Sequence, residues 1–165
     1  MEFNVGFTKN QIPLTYVVGG VSTLFSAPFF GKLADRVGKL KVFVICSILS
    51  LPFVYFITNM PAIAFYYVLL VTAMWFVVAN GRMIAAQAMV SNVIEPQYRG
   101  SFMSINSSLQ QLFVGSASFI AGLIVTNDPV SKKIFHYNWV GYVSITILAF
   151  CIYLAFALKK TTTDL

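Results

Sequence analysis

Two groups of residues could do polar chemistry in this chain, and neither is suited to making or breaking covalent bonds. The first is Gly31-Lys32-Leu33-Ala34-Asp35-Arg36-Val37-Gly38-Lys39-Leu40-Lys41, a short cationic stretch punctuated by glycines between two apolar runs. Asp35 suits the positive end of a helix dipole and Arg36 suits a carboxylate, so the pair can latch one conformation and release in another. The second is a set of polar side chains set in apolar sequence: Arg82, and the amides of Asn106, Gln110 and Gln111. A cation in hydrocarbon costs several kcal/mol, so Arg82 is expected to face a wet cavity or a paired group. Snorkelling to the interface, or binding backbone carbonyls at a helix break, stays open as its other role.

Span four carries Ser104, Asn106, Ser107, Ser108, Gln110 and Gln111, more polar atoms than a lipid-facing helix tolerates. Ser104, Ser108 and Gln111 share one helical stripe and Asn106 and Gln110 a neighbouring one, so these side chains either line a cavity or bond other helices. Small residues four apart, as in Gly81 with Ala85, Ser104 with Ser108 and Ser118 with Gly122, allow close helix approach. No Ser-His-Asp set, carboxylate pair, phosphate-cradling glycine loop or cysteine cluster occurs, and His136 has no partner at metal-ligand spacing. No catalytic residue, metal or cofactor is expected.

The elements that must position these groups follow from composition. With 58% hydrophobic and 10% charged residues, the chain falls far short of the charged share of about 25% usual in a soluble globule. Its apolar residues come in runs near the ~20 needed to cross a hydrocarbon core, which excludes the alternating pattern of a barrel. The fold class is therefore all-α, a polytopic membrane helix bundle with residues 1–165 as one membrane domain. The net charge of +6 does not point to nucleic acid, because the cations gather at the ends of apolar runs.

The spans are expected at about 12–30, 42–57, 62–94, 101–125 and 139–158. Pro28 should kink the end of the first, and the third, roughly 33 residues long, should tilt, kink or protrude. Residues 31–41 should form a hairpin loop, 95–100 a turn in which Gly100 frees the chain, and 126–138 the longest polar loop. Cys46 and Cys151 both fall inside spans and are expected to pack as small apolar residues. Lys32, Arg36, Lys39, Lys41, Arg99, Lys159 and Lys160 share one side against Lys9, Lys132 and Lys133 on the other, which places the first residues outside and the last in the cytoplasm. Targeting to the cell membrane must come from the helices, since the first ten residues lack the features of a signal peptide.

The spacing Gly-x-Leu-Ala-Asp-Arg-x-Gly-Lys over Gly31, Asp35, Arg36, Gly38 and Lys39 resembles the signature loop of the major facilitator superfamily. Pro96-Gln97-Tyr98-Arg99-Gly100-Ser101-Phe102-Met103-Ser104, followed by Asn106, Gln110, Gln111, Gly115 and Ala121-Gly122, is similar to the stretch joining the tenth and eleventh helices in drug- and sugar-efflux members. The resemblance implies a partial major-facilitator fold, helices eight through twelve of twelve, lacking the N-terminal half. Superfamily halves are structural repeats, so a second register is open in which Gly81-Arg82-Met83-Ile84-Ala85-Ala86 resembles the fourth-helix motif, although Ala85 and Ala86 stand where Gln and Gly are usual. The Arg99-Gly100-Ser101-Phe102-Met103 segment favours the first.

The resemblance implies a fragment of a secondary active transporter that moves a small organic solute by alternating access. Its partners would be the lipid bilayer, the missing half, the solute and a coupling ion with protons as one candidate. No carboxylate lies inside any expected span, so a proton-carrying acid would come from the missing half. The alternative is a non-transporting membrane scaffold or assembly subunit whose polar helix faces bind other helices; a reading frame continuing upstream into about seven further helices would separate the two.

Overall fold

Backbone N–H and C=O groups that cross hydrocarbon find no water, so each must be bonded within its own segment, and a helix is the local way to do so. In a computed structural model, which describes residues 11–60, 64–127, 134–135 and 137–163, the chain obeys this almost throughout. Helix α1 covers Gln11–Val37, α2 Lys39–Thr58, α3 Phe65–Asn92, α4 Arg99–Ile124 and α5 Tyr137–Thr163. Each contains a stretch long and apolar enough to cross a membrane, so all five expected spans are present. A 3-10 turn over Pro96–Tyr98 leads into α4. The antiparallel strands β1 (Thr126–Asn127) and β2 (Ile134–Phe135) pair Thr126 with Phe135 and Asn127 with Ile134, in the stretch expected to be an open loop.

The expected loop at 31–41 is corrected. Helix α1 runs without a break through Pro28, Gly31, Asp35 and Arg36, and the reversal is made by Gly38 alone. Its N–H donates to Ala34 O at 3.1 Å, closing α1, while its carbonyl accepts from Val42 N at 3.1 Å, opening α2. One residue can serve both helices because φ is +104°, a conformation that side-chain-bearing residues rarely adopt. Leu, Lys, Ala and Arg are good helix formers, so the stretch from Gly31 to Val37 continues the helix rather than leaving it. Gly100 is likewise the second residue of α4, not a free joint, and the third span ends at Asn92.

Helix α3 packs heavily on both α1 and α2, and α5 packs on α2. Lipid offers little apolar driving force between helices, so contact relies on close fit at small residues. A side chain at Gly19 would collide with the Phe76 ring, one at Gly141 with Thr58, and one at Gly81 would stand 2.7 Å from Phe30. Phe30, Ala34, Val42, Cys46 and Ala85 form the buried cluster, with Leu33, Val77 and Ile84 against it. This core fills the end of the bundle that holds Gly38. Helix α4 stands apart: none of its residues is buried, and it touches α5 only slightly.

If Gly38 alone makes the turn, Gly38→Ala should destabilise the protein by about 1–3 kcal/mol, while Gly31→Ala, in mid-helix with open space around it, should be neutral or stabilise by up to about 1 kcal/mol. Thermal unfolding of the two variants in detergent checks this; equal losses would restore a loop at both glycines.

Candidate functional site

The four helices α1, α2, α3 and α5 line a cavity of about 780 Å³ that runs from the N-terminal turns of α1 and α5 to the edge of the packed core at Phe43. That volume lies within the range of pockets that hold small organic molecules. Helix α5 gives it one continuous stripe, Tyr137, Val140, Ser144, Ile147, Leu148 and Cys151, spaced at three and four residues as a single face requires. Thr72, Trp75, Phe76 and Arg82 come from α3, Phe43, Val54, Ile57 and Thr58 from α2, and Thr15 and Tyr16 from α1. Helices α1 and α5 barely touch, so the cavity opens between them.

Depth along the helices places Arg82 toward the closed end. It lies 17 residues from the start of α3, Cys151 14 residues from the start of α5 and Phe43 15 residues from the end of α2. At 1.5 Å per residue these are depths of roughly 21–26 Å, so the three side chains share one level, where Phe43 also packs against the buried cluster. Arg82 is half-buried and, among the described residues, is the one charged residue in the cavity wall. Phe76 and Trp75 pack edge to face with centroids 5.1 Å apart, and Phe76 is seated in the notch over Gly19. The Thr72 hydroxyl is buried without a hydrogen-bond partner. Asn80 is committed elsewhere: its Nδ2 donates to Ser26 Oγ at 3.2 Å and to Thr23 O at 3.4 Å, tying α3 to α1.

The other expected site residues lie apart from this cavity. Gly31, Asp35, Arg36, Gly38 and Lys39 occupy the Gly38 end, where Asp35 and Arg36 project as exposed side chains from the last turn of α1. No side chain caps the α2 N-terminus. Asn106 is half-buried and Gln110 and Gln111 are exposed on α4, outside the cavity wall. Of the small-residue pairs, Gly81 and Ala85 are buried in the bundle, whereas nothing stands near Gly122. His136 falls outside the described residues. Among the described residues no group of three His, Cys, Asp or Glu could hold a metal. The aromatic wall and the α5 stripe were not singled out from sequence, though the 137-140-144-147/148-151 spacing was there to be read.

Five helices long and apolar enough to cross a membrane, four of them around a largely apolar cavity, define a polytopic membrane bundle. The Major Facilitator Superfamily model matches residues 1–164, and the chain belongs to that superfamily of membrane transporters. No curated protein and no solved structure matches it.

Cys151 lines the cavity whereas Cys46 is buried in the core. A membrane-impermeant thiol reagent should therefore label the Cys46→Ser variant, through Cys151, at least about tenfold faster than the Cys151→Ser variant, because exposure controls thiol reactivity. Mass spectrometry of labelled membranes measures both; equal rates would mean the cavity excludes water.

Proposed function

We propose that the five helices are helices eight through twelve of a secondary transporter that carries a small organic solute across the cytoplasmic membrane by alternating access, on the pattern of drug- and sugar-efflux members. The carrying observation is the cavity: about 780 Å³, lined by four helices and reaching the packed core, with Arg82 in its wall near that core. Arg82 then works as a translocation-path residue at the level where access changes sides. The excess of cations at the Gly38 end supports an orientation with that end in the cytoplasm and the opposite end outside.

Asn106, Gln110 and Gln111 carry amides over about one and a half turns of α4, outside this cavity, and in the assembled protein they complete the path from the other wall. Asp35 and Arg36 sit exposed on the cytoplasmic end, where a latch to that companion has to be made. Rocking of two bundles about a midplane site needs both of them.

Proteoliposomes holding only these 165 residues should show no solute uptake or efflux, and adding the complementary bundle should restore it; transport by the chain alone would overturn the reading. In the assembled transporter, Asp35→Asn should lower the transport rate about tenfold, the loss of roughly one charged hydrogen bond, with membrane insertion unchanged. Flux assays beside quantitative blots separate rate from insertion.

A further inference from the structure

We infer that the cavity selects organic anions, taking a carboxylate or sulfonate at Arg82 with the apolar body of the solute held between Phe43, Trp75 and Phe76. The inference rests on the solute-path reading of the cavity and adds the charge and shape of what enters it. Among the described residues Arg82 is the single formal charge in the wall, and none of the wall residues is an acid. The acids among the described residues are Asp35 and Glu95; the first is exposed on the last turn of α1 and the second precedes the 3-10 turn, and neither lines the cavity. A guanidinium has five N–H donors in a planar fork and no acceptor, so an anionic oxygen pair is the group it matches.

Three solute classes can be compared on that wall. A cation would meet the field of Arg82 with no compensating carboxylate, in surroundings of low dielectric where like charges repel strongly. A neutral solute would strip water from the guanidinium without replacing its hydrogen bonds, which is costly. An anion replaces both water and counter-ion. The rest of the wall suits a flat, apolar body: Trp75 and Phe76 stand edge to face on α3, and Phe43 and Cys151 lie at the level of Arg82 from α2 and α5. Among the described lining residues the hydroxyls of Thr15, Tyr16, Thr58, Thr72, Tyr137 and Ser144 all lie farther from the deep end, so the charged end of the solute goes in first and its less apolar end faces the mouth.

The test uses the protein in lipid nanodiscs with Trp139→Phe, which leaves Trp75 as the only tryptophan and puts the signal in the cavity. Quenching of Trp75 is titrated with 2-naphthoate, 2-naphthamide and 2-naphthylmethylammonium, three probes of one shape and different charge, against empty nanodiscs. The expected result is naphthoate binding on the order of 10- to 100-fold tighter than the amide, the span of a charge-assisted hydrogen bond, with the ammonium weakest. Arg82→Gln should bring carboxylate and amide within about twofold of each other, and Arg82→Lys should keep part of the difference. The wild-type comparison needs no variant to fold. Equal binding of carboxylate and amide, or a carboxylate preference untouched by Arg82→Gln, overturns the anion selectivity while leaving the cavity as a solute path. Tighter ammonium binding also overturns it, and saturable binding of none of the three removes the solute-path reading as well.

Discussion

Everything in this bundle is arranged around the fact that a backbone crossing hydrocarbon must satisfy its own hydrogen bonds. Non-helical backbone is accordingly confined to helix ends, and at Gly38 the interruption shrinks to one residue whose N–H and C=O still belong to the ladders on either side. The same constraint sorts the polar side chains. Short hydroxyls reach back to the carbonyl a turn earlier, as Ser22 does to Val18, Ser50 to Cys46 and Ser118 to Val114, and need no neighbour. Amides and the guanidinium carry several donors that a single helix does not provide for, so they govern how helices meet. Asn80 finds Ser26 and Thr23 on α1, Arg82 turns to the cavity, and Asn106, Gln110 and Gln111 sit on the helix that stands apart.

Small residues set the helix contacts along the whole bundle. Toward Gly38, Ala34 is 2% exposed and Ala85 is fully buried, with Phe30 folded over Gly81. Toward the other end Phe76 fills the notch at Gly19 and Thr58 that at Gly141, and the same helices line the cavity with Thr15, Thr58, Tyr137 and Ser144. Arg82 follows Gly81 on α3, beside the core and in the cavity wall, a position consistent with the cost of placing charge in hydrocarbon.

Asp35 and Arg36, the residues proposed as a latch, belong to the last turn of α1, whose first turns contribute Thr15 and Tyr16 to the cavity wall.

Much of this was legible in the sequence. Runs of about twenty apolar residues give the five crossings, because bilayer thickness sets their length, and Arg82 declares itself because a lone cation in such a run must find shelter. Gly31 and Gly38 look alike on paper, since glycine permits a turn without requiring one; only the packed helices showed that α1 continues to Val37 and that Gly38 alone takes the positive φ. What the tertiary structure decided rests on residues far apart in the chain: that Arg82 shares its level with Phe43 and Cys151, that Phe76 fills the notch at Gly19, and that the polar stripe of α4 lies outside the cavity. These depend on which helix faces pair and at what height, and periodicity within one helix carries no information about its neighbours.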